Sequence, residues 1–159
     1  MKEIRYTAVK GEIGKVVAAR LLPGTDLIEG IEKLCEDYNI KYAFIGCSIG
    51  SLQKSTFMYL VPKSKAKVKA ELSPLELPGP IEFLGGFGIV CEDSNGKRSI
   101  HLHGVISDKL GCTYGGHFVK GQNPVLVTID LILIEVKGMK LLRKYDKETE
   151  AIVFAPEPI

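Results

Sequence analysis

One segment of this 159-residue chain has helical periodicity, and its isolation sets the fold class. Pro23-Gly24 breaks the preceding run, and Thr25 or Asp26 can cap a helix beginning just after it. If Asp26 is the cap, Glu29 is placed to complete a capping box. Leu27, Ile28, Ile31, Leu34, Cys35 and Tyr38 recur at three- and four-residue spacing, with Glu29, Glu32, Lys33, Glu36 and Asp37 between them. Asn39 ends the pattern. A chain with one main helix, at about residues 26–38, must build the rest of its core from strands.

Strand signals fill most of the remainder. Residues 3–9 and 15–22 read as two strands, and 40–47 and 55–61 as two more around a bend from Gly46 to Ser51. Residues 81–90 form a buried strand that Gly85, Gly86 and Gly88 let bend. Asp93-Ser94-Asn95-Gly96 is a hairpin turn, so 98–107 returns as the antiparallel partner. VLVTIDLILIEV, 125–136, is a long β-branched strand. Residues 139–154 give one or two more around a turn at Lys147 to Thr149. Pro74, Pro78, Gly79 and Pro80 predict no regular element over 74–80, and the final PEPI reads as a tail. The expectation is an α+β chain, a single domain over 1–159, with a central antiparallel β-sheet of about seven strands.

At 45% hydrophobic the chain has enough apolar residues for a core. A net charge of +2 and a pI near 8.3 fall short of a dedicated nucleic-acid domain, and neither demand nor exclude an anionic partner. Cys35, Cys47, Cys91 and Cys112 form no CxxC pair, which predicts reduced thiols. MKEIRYTAVK has no signal-peptide core, and the longest apolar runs are about half the ~20 residues of a membrane helix. A soluble, cytoplasmic protein is expected. Lys63, Lys65, Lys67 and Lys69 alternate, so an extended backbone puts all four on one side. They are either a solvated edge or a stripe that contacts nucleic-acid phosphates.

All three histidines fall between residues 101 and 117. His101 and His103 are two apart on a strand, so both rings leave one face and can reach a common cation at about 2.0–2.1 Å. Gly115 and Gly116 let the following loop fold back, so that His117 can join them. Three imidazoles with an open fourth position are the pattern of a catalytic or ligand-binding zinc. Cys112, Asp108, Glu82 or water could complete the shell. The competing reading makes His101 and His103 ordinary polar residues of a half-exposed strand. Glu82 and Asp130 lie in strands expected to be buried, where a carboxylate needs a partner. They read as histidine partners or as a base, or else as solvent-facing residues, with the first preferred for Glu82. Asp108 suits a turn, and Cys112 suits packing better than ligation. Nucleophile triads, P-loops and dinucleotide fingerprints are absent. No helix comes after GGFGIV to supply a phosphate site.

The order LLPGTDLIEGIEKL, IKYAFIGCSIGSL, PIEFLGGFGIV, HLHGVISDKLG, GGHF and TIDLILIE resembles the plant- and prokaryote-conserved (PPC, also PCC) domain over roughly residues 3–150. The resemblance implies an α+β fold with a central antiparallel sheet, assembled as a homotrimer. Prokaryotic members resemble stand-alone domains, several holding a metal through the positions of His101, His103 and His117. Plant members join the domain to an Arg-Gly-Arg-Pro segment that reads the DNA minor groove, and this sequence has no such segment. It also departs from the family at Asp130, where Glu is more usual, and in the glycine content of GGFGIV. The function expected is a trimeric, zinc-holding module that binds DNA or a regulatory partner. A small-molecule or hydrolytic metalloenzyme is the alternative, and a plain assembly module a third reading.

Overall fold

The computed structural model describes residues 3–62 and 70–159. Among these the order is β1 (Glu12–Leu21), α1 (Leu27–Asp37), β2 (Ala43–Pro62), β3 (Ala70–Glu92), β4 (Arg98–Ser107), β5 (Thr113–Phe118), β6 (Val125–Lys137), β7 (Met139–Asp146) and β8 (Ala151–Pro158). The helix forms where the periodicity places it. Asp26 is extended and accepts from the N–H groups of Ile28 and Glu29, satisfying two of the donors a helix start leaves orphaned. Leu27, Ile28, Ile31 and Cys35 are buried. Each of the larger three contributes about 1.5–3 kcal/mol by leaving water. Tyr38, expected on this apolar face, is half exposed, because it is the C-cap and its backbone has left helical geometry.

All eight strands join one sheet in the order β1-β6-β2-β5-β4-β3-β7-β8. Among the described residues every pairing is antiparallel except that of β3 with β7, parallel through Glu92 and Leu142. The sheet is therefore mixed and has one strand more than expected. Residues 3–11 hold no strand; Ile4 and Tyr6 stay exposed, so their alternation has nothing to bury against. The two strands expected over 40–61 are one, β2, with register shifts between Ile45 and Cys47 and between Gly50 and Leu52 at the expected bend.

The prolines do not stop strand formation. Pro74 and Pro78 sit in β3 opposite Met58 and Lys54 of β2. That half of β3 precedes its pairing with β4, which begins at Glu82, so a missing N–H on the open side breaks no ladder. Pro156, Glu157 and Pro158 of the PEPI end likewise lie in β8, an edge strand paired with β7 alone among the described residues.

β2 and β3 also pair with each other, which closes β2, β3, β4 and β5 into a ring. Phe57, Phe83, Phe118, Leu102, Ile106 and Ile81 are buried in the core. Phe83 and Phe118 meet edge to face, with centroids 5.4 Å apart. No helix of the described residues is long and apolar enough to cross a membrane.

Candidate metal centre

His101 and His103 leave one face of β4, as the two-residue strand period requires. β5 pairs with β4 so that His117 lies directly opposite His103. His117 thus comes from a strand and not from the loop expected for it. Gly115 and Gly116 make no turn. A Cβ at Gly115 would stand 2.6 Å from the carbonyl oxygen of Gly104, and one at Gly116 would stand 2.4 Å from that of Met58. The glycines let β5 lie tightly between β4 and β2.

The three rings form a triangle with centroids 4.9, 5.0 and 5.3 Å apart. The Nε2 atoms of His101 and His103 are 3.0 Å apart, and one nitrogen from each ring lies within 4.8 Å of the others. Tetrahedral zinc at about 2.05 Å from each nitrogen needs nitrogens roughly 3.3 Å apart. One pair already meets that spacing, and the third ring needs a shift within the freedom of a side chain. Burial pushes the His101 imidazole down to about 4, with Arg143, His117 and His103 adding repulsion. Burial followed by Arg143 lowers His103, and burial, His103 and Arg143 lower His117. All three rings are therefore neutral at pH 7, the state in which an imidazole binds a metal. The donor set fits a divalent cation.

Arg143 of β7 belongs to no motif that the sequence displays. Its Nη1 donates to His101 Nδ1 and its Nη2 donates to the carbonyl oxygen of Ile152 at 3.1 Å. The guanidinium can only donate, so in this arrangement His101 accepts at Nδ1 and carries its proton on Nε2, and binding a metal would require Arg143 to leave Nδ1. The sequence holds a faint signal for this residue. Arg143 has the same strand parity as Leu141, which is buried.

Glu82 and Asp130 are both exposed, which overturns the expectation of buried carboxylates. Glu82 faces Ser107, four residues along β4 from His103, or about 13 Å at strand rise. Asp130 lies between Arg20 and Ile49 on its neighbours and accepts from the Thr128 hydroxyl at 2.7 Å. Each is on an outer sheet face, where alternation leaves it in water. Asp108 is a turn residue, as expected, accepting from the N–H groups of Leu110 and Cys112. Cys112 is exposed in that turn and packs in no core. All four cysteines are free. Lys63, Lys65, Lys67 and Lys69 lie outside the described residues.

The histidines line a cleft of about 750 Å³ with Arg143, Leu60, Leu72, Ile152 and Phe154. Eight strands in one sheet, a single helix and a three-histidine cluster at a cleft, all among the described residues, define an α+β class. The sequence model of the Plants and Prokaryotes Conserved (PCC) domain matches residues 8–137, and the chain belongs to that family. The match takes in the three histidines and ends before Arg143.

A metal-containing protein from Archaeoglobus fulgidus has a similar structure, with TM-score 0.79 and 26% identity, covering 94% of this chain and 99% of the other. A plant- and prokaryote-conserved (PPC) protein of Pyrococcus horikoshii gives 0.76 and 25%, covering 92% and 96%. A candidate DNA-binding protein from Ralstonia eutropha JMP134 gives 0.70 and 25%, covering 87% and 89%. The bifunctional protein GlmU of Synechococcus sp. strain JA-2-3B'a(2-13) is 25% identical over 145 residues, 91% of this chain. The chain spans about a fifth of the length of the curated relatives it matches, 21% in this case.

Proposed function

We propose that His101, His103 and His117 hold one divalent metal, zinc by the preference of a three-imidazole set. The protein on this reading is a trimeric PCC module that binds DNA or a regulatory partner through its assembled surface. The observation that carries the metal is the convergence of three neutral imidazoles from two adjacent strands. The metal-containing relative from Archaeoglobus fulgidus supports it, and the Ralstonia relative supports DNA as the partner. Three weakly basic chains in one assembly would strengthen a modest patch by multivalency.

Elemental analysis beside solution mass tests the core of this reading. The wild type is expected to carry one metal per chain at trimer mass, and His103→Ala none. Metal-free wild type that reloads no zinc would sink it. A gel-shift series in rising salt tests the DNA part, since phosphate contacts make affinity fall steeply with salt. No shift at low salt from a verified trimer would remove DNA.

One observation favours a second reading as a metalloenzyme acting on small molecules. The histidines face an open cleft and are not sealed inside the domain. Metal held there would supply Lewis acidity to a carbonyl or phosphoryl oxygen. Glu82 cannot serve as its base from about 13 Å along the strand. Turnover of activated esters by zinc-loaded protein, lost in His103→Ala, is the outcome this reading requires.

A further inference from the structure

We propose that the cleft over the three histidines binds a small monocarboxylate with an apolar tail, its carboxylate held by Arg143 at the histidine end. The inference rests on the metal reading for its second positive charge. Three features of the cleft point the same way.

The first is charge. The histidines are neutral ligands, and among the described residues no carboxylate belongs to their cluster. A divalent metal beside the Arg143 guanidinium would leave three positive charges close together. Glu71 and Glu150 also line the cleft. Counted at full charge, they still leave one positive charge over among the described residues, which a single carboxylate would balance. The second is geometry. Arg143 spends one Nη1 donor on His101 and one Nη2 donor on Ile152, so its planar fork keeps further N–H groups for a carboxylate. A metal on His101 would release the Nη1 donor, while the Ile152 contact keeps the fork at the cleft and reduces the entropy lost on binding.

The third is the wall. Leu60, Leu72, Ile152 and Phe154 are 70, 52, 61 and 42% exposed, yet they line one cleft. They come from β2, β3 and β8, so three strands present apolar surface to one space. A polar end and greasy walls at this volume match a site for an amphiphilic small molecule. A bare inorganic anion would leave the walls in water.

Calorimetric titration of octanoate into the full-length protein, zinc-loaded and zinc-stripped, tests this. One octanoate per chain is expected, with butanoate at least tenfold weaker, since each methylene buried strengthens binding about three- to fourfold. Octylammonium should not bind. Arg143→Met should weaken octanoate at least tenfold. Leu72→Glu, on an exposed wall position, should do the same while keeping its zinc, which separates the cleft from any folding defect. Equal binding of octanoate and octylammonium would overturn the proposal, as would full affinity in both variants. Zinc uptake without octanoate binding defeats this inference and leaves the metal reading standing. Octanoate binding that needs Arg143 in a protein that takes no zinc defeats the metal reading and the charge argument with it, and leaves Arg143 and the apolar wall as sufficient for the carboxylate site.

Discussion

Asp26 and Asn123, 97 residues apart, share a buried hydrogen bond in which the Asn123 N–H donates to Asp26 Oδ2 at 2.8 Å. The other carboxylate oxygen caps the helix at Ile28 and Glu29. One side chain thus ties the start of α1 to the loop between β5 and β6. Asn123 extends the tie: its Oδ1 accepts from the Ser55 hydroxyl and the Thr56 N–H, both at 2.9 Å. Asp26→Ala should cost roughly 2–4 kcal/mol, a lost cap plus an unpaired buried N–H. Urea unfolding measures it. A loss under about 1 kcal/mol would mean the buried N–H finds water.

His103 is exposed, so removing its ring leaves the core intact. His103→Ala should keep the wild-type thermal midpoint in metal-free buffer and lose the midpoint gain that zinc gives the wild type. Calorimetric scans with and without zinc compare the two. An equal zinc-induced gain in the variant would show that the ion sits elsewhere.

Gly116→Ala is a sharper test of how the site is built. The added methyl would stand 2.4 Å from the Met58 carbonyl oxygen, a backbone atom that cannot swing away. Forcing β5 from β2 should cost about 1–3 kcal/mol and shift His117, its neighbour in the chain. Zinc affinity should fall with stability. A variant of wild-type stability would mean the two strands can separate freely.

Thiol titration divides the cysteines by environment. Burial pushes Cys35 and Cys91 up to about 11 each, while Cys47 and Cys112 are exposed. At pH 8 only about one in a thousand of each buried thiol is ionised, and that fraction is shut off from reagent. Two thiols should react rapidly in the native protein at pH 8 and four after denaturation. A raised folded-state value for a thiol that is neutral at pH 7 leaves stability unaffected there. The folded state loses ground as pH climbs past the unfolded thiol value near 8.5.

The parts legible in the sequence are those fixed by local chemistry. The Asp26 cap, the apolar spacing from Leu27 to Cys35, the Asp93 to Gly96 turn and the shared face of His101 and His103 are decided within a few residues. Pairing across the chain is not legible. Whether Pro74 and Pro78 can sit in a strand depends on which edge of β3 has a neighbour. Glu82 and Asp130 read as buried because their strands are apolar, but each lies on the outward parity of a sheet whose far face is open. Arg143 reaches His101 only through the β3–β7 pairing, which local spacing does not encode.

The closed circuit of β2, β3, β4 and β5 also governs how the histidines can be lost. The two histidine strands have ladder partners on both sides, so neither can fray from an edge as β8 can. Closing the circuit brings Met58 against His117, a contact of long sequence separation whose loop entropy must be met before the ring is complete. The triangle itself needs only the β4–β5 pairing, which sets His117 opposite His103. The ladder from β5 to β2 then pins that hairpin into the ring, so the histidines are shielded from loss by fraying at a sheet edge.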